Sequence, residues 1–210
     1  MCKQISFLKK QGKQVIVVSS GAVGLGEKVL NKIDGLGVKQ AKASIGQIKL
    51  MNIYSKYFSK VGLSVAQFLL TSDDFRNKIH LSNLIKTYNN LPENVIPIVN
   101  ENDVVFTEEL TFGDNDVLAT EILINLDFDV LLVLTKRGAL ISKNKIIRFS
   151  NKYSVEDYDS IGKNFGFGGL ESKLVCAKKS VQAGKIFIIT KIQENILDVL
   201  NLKGNFTFFR

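Results

Sequence analysis

Two short clusters of acids and amides are the residues best suited to chemistry in this sequence. The first, residues 100–103, reads Asn-Glu-Asn-Asp and follows a β-branched stretch that contains Pro97. The second, residues 114–116, reads Asp-Asn-Asp and precedes an apolar stretch. Carboxylates and amides at a strand end can bind a cation, a small polar substrate or lysine side chains. A solvated loop with helix caps is the alternative, because Asp and Asn are the usual cap and turn residues.

A glycine-rich turn follows the first predicted strand, residues 15–18. Ser20 leads into residues 21–26, which read Gly-Ala-Val-Gly-Leu-Gly. Glycines between a strand and a helix let backbone N–H groups approach an anion at the positive end of the helix. The spacing matches neither the dinucleotide-binding fingerprint nor the Walker A loop, because Glu-Lys follows where Walker A requires Lys and then Ser or Thr. Anion binding and close packing of strand on helix both explain these glycines.

A second glycine-rich segment, residues 162–169, precedes a predicted helix over residues 171–183. Lys173 falls in the first turn of that helix, where the helix dipole disfavours a cation. Such a position is explained if the ammonium group of Lys173 meets an anion. An ordinary exposed lysine is the alternative, since the chain has 28 lysines and arginines.

Composition limits the class of protein. The chain has 210 residues, 45% of them apolar, which is enough for one domain with a substantial core. The net charge of +8 comes from basic residues scattered along the chain, and no aromatic and basic platform indicates nucleic-acid binding. Cys2 and Cys176 are too far apart for a metal knuckle, and a single histidine, His80, excludes a histidine-rich zinc site.

Neither a secretion signal nor a stretch long enough to span a bilayer is visible in the sequence. We therefore expect a cytoplasmic protein that does not contact a membrane. His80 lies in a polar helical stretch, so we expect it at the surface.

Strand and helix patterns alternate along the chain. The predicted strands are residues 15–18, 63–70, 95–99, 130–135 and 185–190, and the predicted helices are residues 5–11, 39–60, 73–89, 117–125 and 171–183. This alternation is typical of an α/β fold with a largely parallel sheet, whose site lies at the carboxyl ends of the strands. We expect the apolar tail through Phe209 to pack on the core.

Several of these motifs resemble, in order and spacing, those of the glutamate 5-kinases of the amino acid kinase superfamily. They are residues 19–26, 39–41, 45–47, 67–71, 98–103, 112–116, 168–169 and 172–174. The Asn-Glu-Asn-Asp and Gly-Asp-Asn-Asp pair points to this kinase more than to its acetylglutamate, carbamate or uridylate relatives. The resemblance implies a three-layer α/β/α amino acid kinase fold with a mostly parallel central sheet, formed by residues 1–210 as one domain.

The resemblance also implies a reaction, the ATP-dependent phosphorylation of the side-chain carboxylate of L-glutamate in the first step of proline biosynthesis. Lys173 resembles the transition-state lysine of the family, and Asp116 resembles the acid that positions lysines around the transferred group. The implied glutamate contacts are Ser20, Gly21, Asp103 and Asn115, and the implied nucleotide contacts are Thr135, Lys136, Phe167, Gly168, Gly169, Leu170, Glu171, Ser172 and Lys173. ATP and Mg²⁺ are the implied cofactors, with no metal-ligating residue, no nucleic-acid partner and a homo-oligomeric assembly.

The sequence departs from the family pattern in several places. The family's opening strand, which ends in Lys-x-Gly-Thr or Lys-x-Gly-Ser, precedes the matched motifs, so we expect a kinase domain whose first strand is missing. Lys136 stands where the family usually has an acid, and Phe167 begins a shortened glycine loop. The family's C-terminal PUA domain is not seen. Two alternatives stay open: a catalytically impaired relative that binds ligand or a partner, and another small-molecule kinase of the superfamily.

Overall fold

The computed structural model describes residues 1–27, 36–105, 114–159 and 169–210. The chain forms two compact units, Met1–Glu109 and Leu110–Arg210. Each unit packs helices on a sheet that contains parallel strands. The predicted α/β class is confirmed.

The sheet of the first unit is parallel throughout. Its strands are β1 (Val17–Val18), β2 (Ser64–Leu70) and β3 (Val95–Glu101), with β3 between the other two. Val18 pairs with Val99, and Leu70 pairs with Glu101. The carboxyl ends of the three strands therefore lie at one edge. The central strand is buried from its second residue onward, as expected for a parallel strand with a neighbour on each side.

The helices of the first unit are α1 (Cys2–Lys10), α2 (Ala22–Gly26), α3 (Leu36–Ser59), α4 (Ser72–Arg76) and α5 (Lys78–Asn89). Ile5 of α1 and Phe58 of α3 pack with Ile96 and Ile98 of β3 to form the main core of this unit. Burial of these apolar side chains on the sheet is what holds both helices in place. Among the described residues, no helix combines the length and the apolar character needed to cross a membrane.

The prediction of one continuous helix over residues 73–89 is wrong. Asn77 has an extended backbone, with ψ of 112°, and separates α4 from α5. Its side-chain oxygen accepts hydrogen bonds from the N–H groups of Ile79 and His80 and so caps α5. His80 is exposed, as predicted, and its Nδ1 lies 2.8 Å from Oδ1 of Asp74.

The main sheet of the second unit has strands in the order β4, β8, β9, β7. These strands are β4 (Val130–Thr135), β7 (Phe149–Ser150), β8 (Ile186–Lys191) and β9 (Phe206–Phe209), and β5 (Ile141–Ser142) pairs with β6 (Lys145–Ile146) in a separate hairpin. β4 and β8 are parallel, whereas β9 runs antiparallel to β8. The apolar tail is buried as predicted, and it forms a strand, β9, that is not among the predicted strands.

The helices of the second unit are α6 (Asp114–Asn125), α7 (Leu170–Gln182) and α8 (Ile196–Leu200), with a short 3-10 turn at Val155–Asp157. Leu174 of α7 packs with Phe187 and Ile189 of β8 in the core. α6 begins at Asp114, earlier than the predicted start at residue 117. Asp114, Asn115 and Asp116 therefore form its first turn.

Candidate active site

The carboxyl edge of the first sheet collects the residues that follow its strands. The N–H of Ser19 donates to the carbonyl oxygen of Val99 at 2.8 Å, and the N–H of Asn102 donates to that of Leu70 at 2.9 Å. These bonds extend the sheet pairing past the strand ends. The first acid and amide cluster and the glycine-rich turn are thereby brought to the same edge, as predicted.

Asn100 and Glu101 are not in a solvated loop. They lie inside β3, and only 2% and 4% of their surfaces are exposed. The Nδ2 of Asn100 donates to Oε1 of Gln47 at 2.8 Å, and its Oδ1 accepts from the N–H of Glu101 at 2.9 Å. The amide of Asn100 is thus a buried structural group, and the solvated-loop alternative is wrong for both residues.

Asp103 follows β3 and is partly exposed. Partial burial raises the pKa of its carboxyl group, because a low-dielectric surrounding disfavours the charged form. A cationic ligand group beside Asp103 would favour its ionised form. The position suits an acid that binds an ammonium group.

The glycine-rich turn owes its composition partly to packing. Gly21 has φ of +107°, a conformation that favours glycine. A Cβ on Gly26 would lie 1.8 Å from the carbonyl oxygen of Lys42, and one on Gly46 would lie 1.7 Å from that of Ala22. Close contact between α2 and α3 therefore requires glycine at position 26 of the turn and at position 46 of α3. This supports the packing explanation for Gly26. Ser20 and Gly21 are exposed at the start of α2.

Tyr54 of α3 also reaches this edge. Its hydroxyl donates to Oγ of Ser19 at 2.8 Å, and that Oγ donates to the carbonyl oxygen of Ser20 at 3.1 Å. Burial raises the pKa of Tyr54, so its hydroxyl stays protonated and able to donate. Gln47 and Tyr54 were not among the candidate site residues, because α3 carries many other polar residues and nothing in the sequence distinguishes these two.

In the second unit, α6 and α7 each lead into a parallel strand. α7 has 13 residues and is about 20 Å long at 1.5 Å per residue. β8 has 6 residues and also spans about 20 Å at 3.3 Å per residue. A helix that turns directly into the next strand runs back along the sheet, so the first turns of α6 and α7 lie at the carboxyl edge of β4 and β8.

Lys173 and Asp116 join these two first turns. The Nζ of Lys173 donates to Oδ2 of Asp116 at 2.8 Å, and the two side chains are 10% and 18% exposed. Lys179 and Glu121 form a second ion pair between the same helices. The alternative of an ordinary exposed lysine is therefore wrong for Lys173, which is held beside an anion in the structure.

Asn115 and Ser172 flank this pair in sequence. The Oδ1 of Asn115 is buried and has no hydrogen-bond partner within the described ranges. Buried polar atoms usually have a partner, so this oxygen is available to a ligand donor. Ser172 is buried beside Lys173 in α7. Cys176 is buried one turn further on, and burial raises the pKa of its thiol, which therefore stays protonated.

Thr135 ends β4 at this same edge. Its Oγ1 accepts a hydrogen bond of 2.7 Å from the N–H of Gly138, which has φ of +94° and closes the turn. Lys136 is exposed in that turn. The position that departs from the family pattern therefore presents its side chain to solvent.

The remaining predicted nucleotide contacts surround the start of α7. Phe167 and Gly168 lie outside the described residues. Gly169 immediately precedes α7, Leu170 is buried, and Glu171 is exposed. Over the parts of the chain that the structure describes, no group of three or more His, Cys, Asp and Glu side chains could hold a metal ion.

The predicted site residues divide between the two units. Ser20, Gly21 and Asp103 belong to the first unit, and Asn115 and Asp116 to the second. Thr135, Lys136 and the segment from Gly169 to Lys173 also belong to the second unit. Within each unit they lie at the carboxyl edge of the sheet, which is where an α/β fold places its ligands.

Comparison with known proteins identifies relatives of this chain. The amino acid kinase family matches residues 1–190. A glutamate 5-kinase from Aquifex aeolicus (strain VF5) is 39% identical over 100% of this chain and 62% of its own length. One from Geobacillus kaustophilus (strain HTA426) is 39% identical over 97% of this chain and 59% of its own length. The chain thus spans about three fifths of the length of these curated relatives.

Two solved structures share the fold at low sequence identity. The carbamate kinase from Giardia lamblia bound to AMP-PNP is 17% identical, with a TM-score of 0.67, and the match covers 100% of this chain and 88% of that one. A second structure of Giardia carbamate kinase is 18% identical, with a TM-score of 0.64 and the same coverage.

Proposed function

We propose that this chain, which belongs to the amino acid kinase family, transfers the γ-phosphoryl group of ATP to the side-chain carboxylate of L-glutamate in the first step of proline biosynthesis. The observation that carries the proposal is the buried ion pair of Lys173 and Asp116 at the first turns of α6 and α7. Identity of 39% to curated glutamate 5-kinases supports glutamate as the acceptor.

The proposed reaction needs little acid–base catalysis from the protein. A carboxylate oxygen of glutamate forms a bond to the γ-phosphorus, and the bond from that phosphorus to the bridging oxygen breaks, with ADP leaving as the anion. The carboxylate is already ionised at neutral pH, so no general base is needed. What the site must supply is alignment of two anions and stabilisation of charge on the migrating group.

Lys173 has the position and charge for that stabilisation. Asp116 holds its ammonium group in a mostly buried place, where an electrostatic contact is stronger than in water. A pre-positioned donor of this kind contributes about 3 to 4 kcal/mol to transition-state binding in other enzymes. We therefore assign Lys173 as the catalytic cation and Asp116 as the acid that positions it.

We assign glutamate binding to Ser20, Gly21, Asp103 and Asn115. Asp103 would bind the amino group of the substrate, because a neighbouring cation would stabilise the ionised form of its partly buried carboxyl group. The unpartnered Oδ1 of Asn115 would accept a hydrogen bond from a substrate donor. Acids in the acceptor region explain how a protein with net charge of +8 selects an α-amino acid.

We assign nucleotide binding to Thr135, Lys136 and residues 167–173. The AMP-PNP in the Giardia carbamate kinase supports a nucleotide site on this fold. Mg²⁺ would arrive on the phosphates of ATP, because the described residues hold no cluster of acids for it. When bound, the ion neutralises part of the phosphate charge.

We place this reaction in the cytoplasm, where ATP and free glutamate meet, and we expect the chain to act as a homo-oligomer. Light scattering from the purified protein measures the assembly. A monomer with full activity would contradict that part of the proposal.

The test of the proposal is ADP release from MgATP by the purified chain, with and without L-glutamate. We expect stimulation by glutamate in the wild type and a loss of about 10²- to 10³-fold in Lys173→Met, because the transition-state cation is gone. Lys178→Met is the matched control, since Lys178 is an exposed lysine of the same helix. A folded wild-type sample without glutamate-stimulated turnover would contradict the proposal.

A further inference from the structure

Helix α3 presents two polar side chains to the strand ends of the first unit. Gln47 and Tyr54 are seven residues apart in sequence, so they lie on one face of the helix about two turns from each other. Gln47 reaches the end of β3, and Tyr54 reaches the residue that follows β1. Neither residue is assigned to substrate binding above.

The orientation of the Gln47 and Asn100 amides is fixed by their partners. The N–H of Glu101 can only donate, so the side-chain oxygen of Asn100 must face it, as found at 2.9 Å. The Nδ2 of Asn100 is left to donate to Gln47, which must present its own oxygen, as found at 2.8 Å. The Nε2 of Gln47 is then buried and has no hydrogen-bond partner in the described part of the chain. A buried donor without a partner is uncommon in proteins and calls for an explanation.

Tyr54 fixes the neighbouring strand end in the same way. Its hydroxyl donates to Ser19, whose own hydroxyl therefore donates onward to the carbonyl oxygen of Ser20. Ser19 is mostly buried, whereas Ser20 is exposed. The chain of two bonds sets the direction in which the backbone leaves β1.

We infer that Gln47 and Tyr54 are positioning residues that set the geometry of the acceptor site, through Asn100 and Ser19 respectively. The inference rests on the proposed function, which makes Ser20 and Asp103 the glutamate contacts. Ser20 follows Ser19 directly, and Asp103 follows the strand segment that Asn100 anchors. Movement at either anchor changes where these contacts lie without touching the nucleotide residues.

Two variants test the inference. Gln47→Met removes the acceptor for Asn100 at nearly constant volume, and Tyr54→Phe removes only the hydroxyl. We expect each variant to raise the KM for glutamate about tenfold, because a buried hydrogen bond to a positioning group is lost, with KM for ATP unchanged. In Gln47→Met we also expect faster hydrogen exchange at the N–H of Glu101, whose acceptor is no longer held.

Ile96→Val is the matched control, because it destabilises β3 at a fully buried position near its amino end without removing a hydrogen bond. It is expected to leave both KM values unchanged. If Gln47→Met and Tyr54→Phe gave the same KM values and Glu101 exchange as this control, the inference would be overturned. If the wild type showed no glutamate-stimulated turnover, the proposed function would fail, and exchange at Glu101 would alone decide whether Gln47 positions the end of β3.

Discussion

The two units hold polar side chains at the edge of their sheets by different means. In the first unit the bonds join neutral groups, the amides of Asn100 and Gln47 and the hydroxyls of Ser19 and Tyr54. In the second unit Lys173 is held by the carboxylate of Asp116. Neutral bonds fix shape and do not respond to pH near neutrality, whereas an ion pair also delivers charge to the site. Under the proposed function, the neutral bonds would orient the acceptor and the ion pair would supply charge to the transferred group.

The largest expected effect on activity comes from breaking the ion pair of Lys173 and Asp116. Asp116→Asn keeps the shape of the side chain but removes its charge, so the ammonium group of Lys173 loses its anchor. We expect glutamate-dependent turnover to fall about 10²-fold, the lower end of the range for a displaced transition-state donor. Steady-state kinetics at saturating glutamate and ATP measure the change.

Glu121→Gln is the control for that variant, because it breaks the other ion pair between α6 and α7. We expect turnover to change little there. Equal losses in the two variants would mean that helix spacing, rather than the charge around Lys173, governs activity.

The hydrogen bonds between neutral groups in the first unit are best disturbed by a change in α3, the helix that carries Gln47 and Tyr54. Gly46→Ala places a Cβ 1.7 Å from the carbonyl oxygen of Ala22, so α3 must move away from α2 and carry Gln47 with it. We expect the free energy of unfolding to fall by about 1 to 3 kcal/mol, the usual cost of overpacking. Urea denaturation followed by circular dichroism measures this change.

Gly37→Ala is the matched substitution in the same helix, where an added Cβ meets nothing within 4 Å. Alanine is the better helix former, so we expect stabilisation by about 0.5 to 1 kcal/mol. Destabilisation in both variants to the same degree would show that the contact at Gly46 is not the cause.

Under the proposed function, Asp103 is expected to make glutamate binding depend on pH. Burial raises the pKa of its carboxyl group, and in the proposed acceptor site only the ionised form would attract the amino group of glutamate. Affinity for glutamate should fall about tenfold per pH unit once the pH lies below that pKa, starting at a higher pH than for an ordinary aspartate. Calorimetric titration over a pH series measures it.

Asp103→Asn should bind glutamate more weakly at neutral pH and lose the part of the pH dependence that begins above the ordinary aspartate range. A wild-type profile identical to that of the variant would remove Asp103 from the acceptor site.

A smaller effect is expected at α4, outside both candidate sites. Burial opposes ionisation of Asp74, but hydrogen bonds from Thr71 and His80 outweigh it and lower the pKa of its carboxyl group. A lowered pKa means that the ionised group stabilises the fold above the ordinary aspartate pKa, and that this contribution is lost as the pH falls through the lowered value. We expect Asp74→Asn to lose about 1 kcal/mol at neutral pH, as for other helix caps, and the difference to narrow in acid.

Urea unfolding of both proteins over a pH series measures that difference. Asp73→Asn is the comparison, since Asp73 is exposed and pairs with Arg76 across one turn. It should cost a few tenths of a kcal/mol, roughly 0.3. A constant gap between wild type and Asp74→Asn at all pH values would contradict the assigned cause.

The sequence by itself determined the α/β class and the positions of three main strands. The apolar runs at residues 95–99, 130–135 and 185–190 are local patterns, and each is a strand in the structure. The sequence also showed that Lys173 lies in a first helical turn, where the helix dipole disfavours a cation, because this effect depends only on the local position in the helix. In the structure its ammonium group pairs with the carboxylate of Asp116.

Only the tertiary structure decided which residues anchor these groups. The bond between Asn100 and Gln47 joins residues 53 apart in sequence, and the bond between Tyr54 and Ser19 joins residues 35 apart. Neither pairing can be predicted from a repeating pattern in the sequence. Such patterns show which face of a helix is apolar, but they do not show which distant residue a polar side chain contacts. The close approach that requires Gly46 depends likewise on where α2 meets α3. Side-chain partners across elements are set by packing, which the linear pattern does not contain.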